Sequence, residues 1–239
     1  MSIITKYVGI IILYTIPMLS YSEPHQYKAS YSFTLKGVEF ANSEHELIYD
    51  KKNDEWCINT MSYTVGIFSL KEDTRTERSC FYYNKTIDNK ADSIPVLNGY
   101  LKFKTYHYER KRSKEAEIVT TKKIDNQLES LINKKTIRYD KSSKLDRLTA
   151  QIFGYALAKL NVNDKGRERK YIFQYIGDNE IKTIFGDNTN VRIVKKNILD
   201  SKRSSLTYYS TDNNYVPVMI EQYRLDKLMF TATLENYEN

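Results

Sequence analysis

Residues able to carry acid–base or metal chemistry are few in this chain. Its three histidines, His25, His45 and His107, stand in no HxxxH or HExxH spacing, so no helix face offers two imidazoles to one ion. His107 lies in the run Tyr106-His107-Tyr108, where a packed or half-exposed imidazole is the ordinary outcome. Two cysteines, Cys57 and Cys80, cannot furnish a four-thiolate zinc site. Neither has a fixed basic partner that would make it a nucleophile, and Arg78, near Cys80, fits the surface alternation of a strand. No GxSxG, SxxK or phosphate-cradling glycine loop occurs. Carboxylate pairs such as Asp125 with Glu129, or Asp178 with Asp187, are what any charged surface offers. The sequence therefore proposes no catalytic residue, no cofactor and no metal site.

Two binding chemistries remain. The segment Lys102 to Lys123 is basic and interleaved with Tyr100, Tyr106 and Tyr108, which makes Lys102, Lys104, Tyr106 and Arg110 candidate surface-binding residues. Such a strand face can hold phosphates and stack rings, although Glu109, Glu115 and Glu117 dilute its field. Its bland alternative is a solvated hairpin end that keeps the protein in solution. The second chemistry lies in alternating Tyr and Phe faces. Tyr31, Phe33, Phe153 and Leu157 are candidate lining residues of a cavity for a lipid or other apolar ligand, held between a curved sheet and a helix. The same faces fill an ordinary core in most all-β proteins.

The elements that would position these residues begin after an address. Lys6 is the only charge before Glu23, and Tyr7 to Leu19 form an apolar run too short for a bilayer-spanning helix, which needs about 20 residues. Ser20 and Ser22 then sit as −3 and −1 of a cleavage site, so the spacing predicts a signal peptide over residues 1–22, cut after Ser22, and a periplasmic protein with no membrane span once cut. The alternative is an uncleaved anchor. Export argues against nucleic acid as a partner of the chain's net charge of +7 and for an anionic envelope component, a lipid headgroup or acidic polysaccharide. In an oxidising compartment Cys57 and Cys80 become disulfide candidates; two separate buried thiols are the alternative.

From Tyr27 to Leu35 apolar and polar residues alternate, as in a sheet with one buried face. Further strands are expected at residues 45–49, 56–65, 74–83, 99–108 and 116–121, with Cys57 and Cys80 facing each other if the second and third of these pair. Tyr100, Lys102, Lys104, Tyr106 and Tyr108 then share one side of their strand. Residues 127–141 remain ambiguous. From Lys144, the spacing of Leu145, Leu148, Ile152, Ala156 and Leu160 predicts a core-facing helix, capped by Ser142 or Ser143. Strands resume at 170–176, 180–185, 191–196 and 205–210, with tight turns at Gly177-Asp178-Asn179 and Gly186-Asp187-Asn188. A last hairpin spans residues 215–237, in which Pro217 needs an edge or bulge. Residues 23–239 read as a single mainly-β domain: a curved antiparallel sheet, half-barrel or sandwich-like, with one prominent helix near residues 144–160.

This organisation resembles the bacterial exported-protein family catalogued as domain of unknown function 3108. YKASYSFTLKGVEFANSEHELIY is similar to its first pair of strands around a glycine, SYTVGIFSLKEDTRTERSCF to its turn-and-return segment, and IPVLNGYLKF to its next strand entry. The helix at Leu145-Asp146-Arg147-Leu148 and the final hairpin LTYYSTDNNYVPVMIEQ complete the order. The resemblance implies an envelope location and a mostly β fold, and brings no catalytic residues. The expected function is a non-catalytic periplasmic envelope protein binding a lipid or amphipathic ligand on a concave sheet face. The alternative is a protein- or glycan-interaction module using the basic, Tyr-rich surface.

Overall fold

The computed structural model describes residues 23–86, 94–96, 99–112, 115–124, 127–139 and 143–239. The signal-peptide reading of residues 1–22 lies outside the described residues, as does Ser142. Within them, alternation decides the architecture. Tyr27, Ala29 and Tyr31 are buried while Lys28 is exposed, so strand β1 (Tyr27–Leu35) turns a row of rings inward. It sits at the middle of one 16-stranded sheet.

On one side of β1 follow β2 (Val38–Asp50), β3 (Glu55–Thr64), β4 (Asp73–Asn84), β6 (Gly99–Arg112), β7 (Glu115–Ile124), β8 (Gln127–Ile132) and β9 (Lys135–Tyr139), with the short β5 (Ile94–Val96) paired to β6. On the other side follow β16 (Lys227–Glu238), β15 (Pro217–Arg224), β14 (Arg203–Ser210), β13 (Gly186–Ile198), β12 (Arg167–Thr183), β11 (Lys159–Asp164) and β10 (Ser143–Asp146). Every pairing is antiparallel except β10 with β11. Of the ambiguous residues 127–141, the described 127–139 thus form two strands, β8 and the edge strand β9.

The predicted helix shrinks to α1 (Arg147–Ile152) and a 3-10 turn at Gly154–Ala156. Its cap is Asp146, whose carboxylate accepts from the Leu148 and Thr149 amides at 2.9 and 3.1 Å. Leu145 and Leu160, spaced like a helical stripe, instead lie on the two strands that α1 joins as a short crossover. Gly154 is a point of close approach: a Cβ there would sit 2.5 Å from the Tyr209 hydroxyl. The Gly177 turn is also absent, because β12 runs through it with a bulge at Tyr175–Gly177. Pro217 opens β15 next to a bulge at Val218, opposite Tyr208–Tyr209 of β14, where its nitrogen has no hydrogen to give the ladder.

The sheet curves until its β10–β11 edge lies against the inner face of β4, β6, β7 and β8. Ser79 donates to Asp146 Oδ2 at 2.5 Å, and Asn163 donates to Ser130 Oγ at 3.3 Å. Gly166, in the β11–β12 turn, is pressed so close to Val119 and Ile132 that a Cβ would clash with both. Rings and aliphatic chains of both halves fill the space between: Tyr31, Ile58, Phe81, Leu101, Tyr106, Leu145, Phe153 and Leu234 form one cluster. Cys57 stands directly opposite Cys80 on β3 and β4, and the two are joined in a disulfide with Cα atoms 4.1 Å apart. Among the described residues no helix is long and apolar enough to cross a membrane.

Candidate functional site

The four lining candidates lie in or against one core cluster of side chains. Tyr31 is 2% exposed and donates its hydroxyl to the Pro217 carbonyl at 2.9 Å. Phe153 packs edge-on against Phe81 with ring centres 5.5 Å apart, and Leu157 and Phe33 pack at the margins of the same cluster. The cavity beside Tyr27, Ile152, Phe153 and Tyr155 has a volume of about 20 Å³, room for one water. This part of the concave face is filled by its own side chains.

The surface candidates are separated instead of joined. In β6, Phe81 pairs with Phe103 and Cys80 with Thr105, so Lys104 is an extra residue in a bulge. One extra residue exchanges the faces of everything beyond it. Lys102 and Lys104 stay on the outer face, where Lys104 binds Glu55 at 2.6 Å and lies over the Tyr82 ring. Tyr106 and Tyr108 turn inward and are fully buried, and Arg110 follows them. Tyr106 donates to Glu77 at 2.8 Å. Glu55, Cys57 and Cys80 lie close enough together to suggest a metal site, but the sulfurs are spent on the disulfide and the carboxylate on Lys104.

His45 is an inward-facing base held away from charge. Its Nε2 meets Ser43 Oγ at 3.0 Å and its ring lies 4.6 Å from that of Tyr31. Burial lowers its pKa to about 4, against a small opposing pull from Glu77. Because the folded value lies below the unfolded one, stability is fully present above about pH 6.5 and is lost as pH falls toward 4. The loss is about 2–3 kcal/mol. Denaturant titrations at pH 7 and pH 4.5 should show it in the parent and show about half of it or less in His45→Gln; equal losses would rule His45 out as the cause.

The inner face changes character toward the end of the sheet that holds the β1–β2, β3–β4, β6–β7, β11–β12 and β15–β16 turns. Beyond buried Tyr108 the inner row continues as Arg110 and Arg112, facing Arg75 and Asp73 on β4 and Glu117 and Glu115 on β7. Asp73 serves three guanidinium groups: Arg110 Nε at 2.7 Å, Arg75 at 3.3 Å and Arg112 at 3.8 Å. The hydrogen bonds from Arg110 hold its carboxyl far below the usual range. Lys165, from the β11–β12 turn, lies 3.9 Å above the Tyr108 ring, and Lys196 on β13 lies 5.3 Å from the Tyr171 ring. Among the described residues neither lysine has a carboxylate at ion-pair distance. Burial, then the nearby Arg147 charge, lowers both to about 8. The buried hydroxyls of Tyr108 and of Ser205, opposite Lys196, find no hydrogen-bond partner among the described residues.

Against this wall of interleaved arginines and acids stands an apolar one. Phe33, Phe40, Phe68 and Phe230 interlock, with ring centres 5.5 Å apart for Phe33–Phe230 and 6.2 Å for Phe40–Phe68. Phe68 belongs to a 3-10 turn, Gly66–Leu70, between β3 and β4, in which no residue is buried. Ile67 and Leu70 are 76% and 89% exposed. Between this turn and the β6–β7 end runs an open groove of about 810 Å³, lined by Ile67, Phe68, Leu70, Asp73 and Arg112. A second hollow of about 420 Å³ continues it past Arg110, Arg112, Glu117 and Asn133. Sequence reading passes over this site, since Gly66-Ile67-Phe68-Ser69-Leu70 reads only as a strand break; its signal is an apolar run in a turn.

The outer face carries a further groove of about 600 Å³ between β16 and β6. Within it Lys28 pairs with Glu46 at 3.5 Å, and Arg78 donates to Asn59 at 3.0 Å. No family model, curated protein or solved structure matches the chain.

Proposed function

We propose that the chain is an exported, non-catalytic envelope protein that binds an amphipathic ligand, a lipid with an anionic headgroup, in the groove at the open end of its sheet. The observation that carries the reading is the pairing of one wall of exposed Ile67, Phe68 and Leu70 with another on which Arg112 and Arg110 stand among Asp73, Glu115 and Glu117. Its volume lies within the usual 300–1,000 Å³ for small-molecule sites. Lys165, above the Tyr108 ring, adds positive charge behind Arg110 without lining the groove. The Cys57–Cys80 bridge fits the oxidising compartment that the leader sequence predicts. Motif order resembling domain of unknown function 3108 agrees with an envelope location and names no ligand.

The test is displacement of anilinonaphthalene sulfonate, an anionic apolar fluorophore, by oleate. Protein beginning at Glu23 should take up the probe and release it to oleate. Phe68→Ser with Arg112→Glu should weaken both by about tenfold or more, the cost of one apolar anchor and one charge. Arg78→Glu, in the outer groove, should leave them unchanged. Probe uptake that is absent, or that falls equally with Arg78→Glu, would remove the groove from the account.

A further inference from the structure

Three successive turns at the groove's end of the sheet expose large aliphatic side chains. The β15–β16, β1–β2 and β3–β4 connections are neighbours there, since their strands are consecutive in the sheet. Leu225 is 61% exposed, Val38 54%, Leu228 48% and Leu35 42%, beside Ile67 and Leu70. Each tip sets an exposed cation directly next to an exposed leucine: Leu35-Lys36, Leu70-Lys71, Arg224-Leu225 and Lys227-Leu228. Acids are present one to three residues further along, at Glu39, Glu72 and Asp226. The side chains stand on separate convex turns, so they offer no continuous face to a folded partner. A leucine with a long cation beside it suits the boundary between headgroups and acyl chains, where the leucine enters and the amine stays at the phosphates.

We infer that this rim docks on an anionic lipid bilayer, with the turn Gly66–Leu70 entering furthest. The whole chain's charge of +7 points the same way. The inference deepens the groove reading and rests on it in one respect: the bilayer is the source from which a lipid would reach the groove. The exposed Ile184, at the opposite tip of the β12–β13 hairpin, and Ile176, midway along β12, provide an internal control.

Flotation with vesicles tests it, using protein beginning at Glu23, since every described element lies beyond that residue. The protein should float with vesicles of phosphatidylcholine and phosphatidylglycerol, and about tenfold less with phosphatidylcholine alone or in high salt. Leu35→Asp with Leu225→Asp, neither of which lines the groove, should reduce flotation about tenfold while leaving uptake of the fluorescent probe intact. Ile176→Asp with Ile184→Asp should float like the parent. Equal flotation of the rim and control variants would overturn the docking, as would sedimentation showing that a second copy of the chain covers the rim. Lost probe uptake with flotation intact would count against the groove alone.

Discussion

Replacing Arg147 by Met should lower stability by about 3–5 kcal/mol, the largest loss expected from any single change in this chain. Arg147 opens α1, and its guanidinium forms a two-pronged pair with Glu77 on β4, one prong at 2.8 Å. Glu77 is 8% exposed and also accepts from buried Tyr106. Burial alone would raise its pKa; the charge and hydrogen bonds of Arg147 reverse the sign and hold it below the ordinary value. Removing the arginine leaves a carboxylate with no hydrogen-bonded counter-charge, only the field of Lys165, in a place water scarcely reaches. The signs of the pH dependence then differ. In the parent the pair's contribution is full above the unfolded carboxyl pKa, about 4.3, and fades below it. In Arg147→Met the native pKa rises, so stability should increase as pH falls from 7 to 5. Glu77→Gln with Arg147→Met should recover more than half of the loss, because no charge remains buried. A single variant as stable as the parent at pH 7, measured by denaturant unfolding, would show that the pair is not holding the two halves of the sheet together.

Opening the Cys57–Cys80 bridge should cost about 2–4 kcal/mol. The bond closes a loop of 23 residues in sequence, and a loop of that size loses about 3 kcal/mol of unfolded-state freedom when cross-linked. For a chain of this length the change lowers the melting temperature by about 6–12 °C. Both sulfurs are buried, so Cys57→Ala with Cys80→Ala is the cleaner variant; serines would bury two new hydroxyls. Parent protein under reductant should melt near the double variant. Coincident melting of oxidised and reduced parent would mean that the bridge constrains nothing that matters to unfolding.

Features fixed by local pattern were legible in the residues. The alternation of β1, the opposition of Cys57 and Cys80, and the bulge beside Pro217 all follow from local chemistry: which side chains can share a face, and which residue lacks an N–H. What escaped depended on distant partners. Leu145, Leu148 and Leu160 fit a helix by spacing, yet Leu145 and Leu160 are claimed by strands because the edge of the sheet folds back over β4 and β6. Lys104 is decisive among the surface candidates: a bulge of one residue, invisible in the sequence of β6, sends Tyr106 and Arg110 inward and leaves Lys102 outside. The groove escaped for a related reason. Its walls come from turns far apart in the chain, and an apolar turn looks like a mere interruption until the structure shows nothing covering it.

The order of strands has one more consequence. Read from edge to edge, β10 through β16 and then β1 through β9, the sheet is a simple up-and-down succession cut and rejoined at its centre, where the first strand lies against the last: Lys28 pairs with Glu238. Each half can assemble from neighbours as it emerges, but the seam between them cannot close until the final strand is available. The sheet must therefore remain unfinished until β16 is made, and it gains its full cooperativity only when that strand is in place.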